Sequence, residues 1–196
     1  MKPYSEPCER NKLPILNEIK SLFCSCHDVF EIGSGTGQHA VFFAEQLPGL
    51  TWHTSDRLEN HDGILQWLRD SALSNIVEPV ELDVMIGPWP DQVFDAVFTA
   101  NTCHIMHWPE LVSMFTHVKD IISAGGFFVI YGPFNYAGKF TSESNAAFDK
   151  SLKMRDPEMG IRDYEAIMQL ANANNFELSN DITMPANNRL LIMKRI

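Results

Sequence analysis

The chain has 196 residues, 45% of them apolar, and a formal net charge of −10. That length predicts one domain with one core, 1–196, large enough to be stable without staples. Surface acidity of this size repels phosphate backbones and excludes nucleic acid and anionic membranes as expected partners, and no run approaches the roughly 18 apolar residues of a membrane-spanning helix.

Met1-Lys-Pro-Tyr-Ser-Glu-Pro7 has no apolar h-region, so no secretory signal is expected. The four cysteines, Cys8, Cys24, Cys26 and Cys103, then read as free thiols in a reducing, cytoplasmic setting. The sequence carries no sign of oligomeric state. In chain order, Pro14 opens a helical pattern through Ile15, Leu16, Ile19, Leu22 and Phe23. A short apolar run, Val29 to Ile32, reads as a buried strand ending in a glycine loop. Ala40 to Leu47 follows as a helix stopped by Pro48-Gly49.

The alternation repeats along the chain. Thr51–Ser55 reads as a strand ending at Asp56, and Ile64 to Leu73 as a helix. Val77–Leu82 is strand-like and ends at Asp83. Phe94–Ala100 is a strand ending at Asn101. Pro109 starts a helix that Gly125-Gly126 ends, and Phe127–Tyr131 is the fifth strand. Residues 132–160 break the pattern, with a short helix from about Glu143 to Met154. A helix over Arg162–Asn174 and strands Phe176–Thr183 and Arg189–Lys194 close the chain, with a hairpin turn at Met184–Asn188. This order predicts an α/β fold: a mostly parallel seven-stranded sheet, helices on both faces and a C-terminal antiparallel hairpin.

The glycine loop Glu31-Ile-Gly33-Ser34-Gly35-Thr-Gly37 carries the chemistry. Glycines between a strand and a helix let backbone approach a ligand, and the helix N-terminus adds free N–H groups. The spacing separates the candidates. A dinucleotide fingerprint needs glycine at 38, where Gln38 stands, so a nicotinamide oxidoreductase is disfavoured. A Walker loop needs Gly-Lys-Ser/Thr, and the chain has Gly37-Gln38-His39.

Glu-x-Gly-x-Gly-x-Gly resembles the first motif of the Rossmann-like methyltransferases. The resemblance implies S-adenosylmethionine as cofactor, with Gly33, Ser34, Gly35 and Gly37 around its amino-acid part and Glu31 ordering the loop. It implies Asp56 on the ribose hydroxyls, Asp83 and the Val84 amide at the adenine, and Asn101 near the methionine end. Asp56 lies 23 residues after Gly33, close to the roughly 20 of ribose-binding acids, and a carboxylate accepts two hydrogen bonds at once. An Asp after a strand also forms turns, which stays open for Asp83 above all.

The whole chain is similar to one small methyltransferase-like family long described as a domain of unknown function. Its marks include Cys8-Glu-Arg10-Asn11, Gly37-Gln-His39, Asn101-Thr-Cys-His104, Tyr131-Gly-Pro-Phe134, Ser144-Asn145, Arg155-Asp-Pro157, Gly160-Ile-Arg162-Asp163 and Asn187-Asn188. Many are polar and lie outside regular structure, where binding and chemistry concentrate. Arg10, Asn11, Asn145, Arg155, Arg162, Asn187 and Asn188 are therefore candidate binders of a small polar substrate.

His104, a group titrating near neutrality, is the candidate base, and Tyr131 a candidate orienter. Each also fits a hydrogen-bonded structural role. Arg155 and Arg162 either clamp an anionic substrate or pair with a neighbouring Asp. Cys24-Ser-Cys26-His27 lacks a second ligand pair, so no metal is expected. The function read here is small-molecule methylation by in-line transfer; the alternative is a non-catalytic cofactor-binding or scaffold protein of the same fold.

Overall fold

The computed structural model describes residues 2–196. Helix α1 spans Glu6–Phe23, and Ser5 caps it by accepting from the Cys8 amide. The expected start at Pro14 is corrected. Pro14 lies inside the helix and Pro7 occupies the first turn. An interior proline removes one helical hydrogen bond, at about 3 kcal/mol. The stripe Asn11, Ile15, Ile19 and Phe23, buried at four-residue spacing, offsets that loss.

The succession is β1 (Asp28–Ile32), α2 (Gln38–Gln46), β2 (Thr51–Asp56), α3 (Leu58–Ser71), β3 (Ile76–Glu81), β4 (Phe94–Ala100), α4 (Trp108–Ile121) and β5 (Ile122–Gly132). Then come β6 (Phe134–Asn135), α5 (Glu143–Arg155), β7 (Arg162–Asp163), α6 (Tyr164–Ala173), β8 (Phe176–Met184), a 3-10 turn (Pro185–Asn187) and β9 (Asn188–Arg195). Seven strands form one sheet in the order β3-β2-β1-β4-β5-β9-β8, and β6 pairs with β7 separately. The first five strands are parallel; β9 runs antiparallel to both β5 and β8.

Period-two alternation distributes the strand side chains to two cores. Phe30, Val97, Phe128, Ile130, Leu191 and Met193 pack with α4 and α6. Val29, Trp52, Ala96, Phe98, Val129 and Ile192 pack with α1 and α2. Burial on both sides explains why these strands read as continuous apolar runs.

Several boundaries differ from expectation by a few residues, three of them near the site or its supports. Strand β5 begins at Ile122, because the extended chain runs on through Gly125-Gly126, which does not end the helix. Arg162 and Asp163 belong to β7, so α6 starts at Tyr164. Helix α5 lies where a short helix was expected, one residue longer.

The chain runs outward from β1 to β3, then returns to place β4 on the other side of β1. Loops leaving the two neighbours diverge there and open a crevice at the carboxyl ends of the strands.

Candidate functional site

That edge holds a cleft of about 1340 Å³. Its floor is the glycine loop. The Gly33 and Ser34 amides donate to the Ser55 carbonyl at 3.0 and 2.9 Å, which ties the loop to the end of β2. Gly33 has φ +73°, and a Cβ there would sit 2.8 Å from the Thr102 methyl, so only glycine fits. Gly35, at φ +59°, meets no atom on its Cβ side and leaves that space open beside the cleft. Its amide donates to Asp56 Oδ2 at 2.7 Å. Asp56 Oδ1 accepts from the Arg57 amide and Asn60 Nδ2, both at 2.7 Å. The carboxylate thus keeps about one lone-pair site free, on Oδ2.

Beneath the loop lies Glu31, 1% exposed, accepting from Trp52 Nε1 at 3.1 Å. Burial raises its pKa to about 7, and the Asp56 charge adds to the rise. An acid whose folded pKa is raised favours folding below its unfolded pKa of 4.5 and loses that contribution as pH climbs through 7. Glu31→Gln keeps an acceptor for Trp52 and removes the charge. It is expected to be about 3 kcal/mol more stable than the parent at pH 9 and equal to it near pH 4.5, measured by urea unfolding.

One wall comes from the N-terminus, which the sequence reading missed. Gln38 accepts from the Ser5 amide at 2.5 Å and Trp67 Nε1 donates to the Pro3 carbonyl at 2.7 Å. These bonds strap Pro3, Ser5, Pro7 and Cys8 along the cleft. The readable signal was Ser5 ahead of Pro7, a helix cap and first-turn proline. Gln38, at the place of the absent third glycine, is the residue that pins this strap. Behind it His39 and Asn11 Oδ1 share a hydrogen bond of 2.6 Å. Burial, with Lys12 adding, lowers the His39 pKa to about 4.

The far end is built by the loop after β4. Asn101 has φ +60°, which Asn tolerates, and its amide donates to the Tyr131 carbonyl at 2.8 Å. His104 follows, 5% exposed. Burial first, then the Arg162 and Arg155 charges, lowers its pKa to about 4. Its ring meets Phe148 of α5 edge-on, with centroids 5.1 Å apart. The Gly160 amide donates to the His104 carbonyl at 3.0 Å. Arg162 donates to the carbonyls of Cys103, Met106 and Glu158 at 3.1, 2.5 and 2.8 Å. One guanidinium therefore shapes the loop that carries His104. Arg162→Leu strands three carbonyls, and about 3 kcal/mol of lost stability is expected in urea unfolding.

Of the predicted site residues, Gly33, Ser34, Gly35, Asp56, Val84, Asn101, His104, Asn145 and Asn188 line the cleft. The others lie off the lining. Glu31 and Gly37 lie behind the loop: Glu31 is sealed against Trp52, and Gly37 packs against Ile64 and Trp67 as the N-cap of α2. Asp83 is not a wall of the cleft. It caps the Met85 amide at 2.9 Å and lies 3.6 Å from Arg57.

Tyr131 is buried with Asn11 and Asn188 beside its hydroxyl, away from the cleft surface. Asn11 faces His39 instead of a ligand. Arg10 has a 70% exposed side chain and pairs with Glu6 across one helical turn. Arg155 ends α5 in solvent. Arg162 clamps carbonyls. Asn187 ties the hairpin turn to α5, through its own carbonyl to Asn145 and its amide to Ser144.

Solved structures share this architecture. An O-methyltransferase family protein from Burkholderia thailandensis superposes with a TM-score of 0.81 at 17% identity, over 96% of this chain and 57% of that one. Human N-acetylserotonin methyltransferase, solved with SAM, gives 0.81 at 16% identity, over 97% and 53%. The fold is the Rossmann-like methyltransferase fold.

Within that class the chain belongs to the protein family of unknown function DUF938, which it matches over residues 2–195. A fatty-acid O-methyltransferase of Mycolicibacterium smegmatis is 31% identical over 101 residues, 52% of this chain and 35% of that enzyme. The match thus spans about a third of that relative, and just over half of each solved structure.

Proposed function

We propose that this chain is a single-domain S-adenosylmethionine-dependent methyltransferase acting on a small molecule. The observation that carries it is the pairing of the left-handed glycine loop with Asp56 at the switch point of the sheet. Open space at Gly35 and the free Oδ2 lone pair of Asp56 fit a nucleoside with an amino-acid tail. The cleft, about 1340 Å³, exceeds the roughly 300–1000 Å³ of usual single-ligand pockets, as a cofactor and an acceptor together require. The O-methyltransferases that share the fold support the same reading.

When bound, S-adenosylmethionine supplies a methyl group activated by its sulfonium. Gly33, Ser34 and Asn101 would hold its amino-acid end, Asp56 its ribose, and Leu82 and Val84 the base. The protein's share of an in-line transfer is alignment and exclusion of water. His104, neutral above pH 4 and lining the far end, would take the acceptor's proton at a ring nitrogen. Calorimetry with S-adenosylhomocysteine tests the reading; absence of binding at millimolar ligand would refute it.

A further inference from the structure

The far end of the cleft contains two buried polar side chains with unused hydrogen-bonding groups. The His104 ring nitrogens have no partner among the described residues, although the residue is 95% buried. The ring is not sealed: its unpartnered nitrogens are reached from the cleft, so a ligand there can supply the missing bond. Asn145 is likewise 5% exposed. Its amide nitrogen spends both hydrogens, on Thr141 Oγ1 at 2.9 Å and the Asn187 carbonyl at 3.1 Å. Only its Oδ1 is left for the cleft, and that oxygen only accepts. Around these two groups the lining is apolar: Phe148, Met159, Met106, Ile105 and Pro133.

Among the lining side chains charge is distributed against anions. Four carboxylates line the cleft, those of Asp56, Glu59, Glu110 and Asp156. Arg57 is the lining guanidinium, and Glu110 holds it at 2.9 Å. His107 is paired with Asp156 at 2.9 Å. Arg162 is near His104 but is not part of the lining and turns three of its five N–H groups to carbonyls behind the loop, and Arg155 is exposed. A carboxylate or phosphate at the far end would find the carboxylates of Glu110 and Asp156 among the lining groups. It would leave its hydration shell with no unpaired guanidinium in the lining to meet it, which is costly in a buried site. A hydroxyl donates one hydrogen bond and needs no counter-ion, so it matches what His104 and Asn145 accept.

We propose that the far end selects an uncharged hydroxyl compound with an apolar body, a phenol or an alcohol, and rejects carboxylates and phosphate esters. This rests on the methyltransferase reading above, which assigns the near end of the cleft to the cofactor. The imidazole stays neutral through the physiological range, so it is an acceptor whenever a hydroxyl arrives.

The test is calorimetry on the intact protein saturated with S-adenosylhomocysteine, using phenol and benzyl alcohol against benzoate and phenyl phosphate. The hydroxyl probes are expected to bind about tenfold or more tightly than either anion, a difference of about 1.4 kcal/mol. Phenol should also shift the His104 ring signals in NMR. Asn145→Asp keeps the side-chain volume and should widen the discrimination; His104→Leu should reduce it to within about twofold. Benzoate or phenyl phosphate binding as well as phenol overturns the proposal, as does failure of both hydroxyl probes at millimolar concentration while S-adenosylhomocysteine binds. Failure of S-adenosylhomocysteine itself refutes the methyltransferase reading, and the proposal falls with it.

Discussion

Asp56→Ala is expected to weaken S-adenosylhomocysteine binding about 100-fold, read by calorimetry. Hydrogen bonds to a charged group contribute about 1.5–3 kcal/mol each, and two ribose hydroxyls lose theirs together, about 3 kcal/mol in all. The carboxylate already holds the Gly35 and Arg57 amides and Asn60 Nδ2. A second ribose bond therefore displaces one of those donors, and exposed Asn60 is the one with no backbone to move. Asn60→Ala should consequently leave affinity within a few-fold of the parent, whereas Asp56→Asn should fall between parent and Ala. Affinity unchanged in Asp56→Ala would remove the ribose role.

Acid should unfold the protein over a window set by two buried histidines. His39 and His104 have folded pKa values of about 4, against about 6.5 in an unfolded chain. The folded state binds fewer protons, so this stability is fully present above pH 6.5 and is lost as pH falls through 4. Each contributes about 3 kcal/mol. Glu31 works in the opposite sense, since its folded pKa is raised, and it returns about 3 kcal/mol between pH 7 and 4.5. A net loss of about 3 kcal/mol is expected from neutrality to pH 4, and about 6 kcal/mol in Glu31→Gln. Urea midpoints across that range measure both. Histidine NMR gives the independent check: a His39 or His104 signal titrating near pH 6.5 in the folded protein would contradict the account.

How legible the site was depends on whether a residue's role is set locally. The glycine loop, Asp56 and Asn101 were readable because each is defined by its place at the end of a strand, and strand ends follow from hydrophobic runs and breakers. Several polar motif residues outside those ends lie off the cleft, although Asn145 and Asn188 line it. Arg10, Arg155 and Arg162 looked alike as candidate binders of a small polar substrate. One pairs with Glu6 on the helix surface, one faces solvent, and one holds two carbonyls of the His104 loop together with that of Glu158. Nothing in the spacing distinguishes an arginine that meets a ligand from one that meets backbone 56–59 residues away.

By itself the sequence determined the alternation of strands and helices, the parallel sheet with its antiparallel hairpin, and the loop that faces the crevice. Those follow from periodicity and breakers, which act over a few residues. Only the tertiary structure decided which polar groups share the cleft. It took Glu31 and Tyr131 out of the lining, brought Pro3 to Cys8 in as a wall, and left His104 and Asn145 with unused bonding capacity. The reason is physical: a buried polar group takes whatever partner lies within about 3 Å, and packing between distant segments sets that distance.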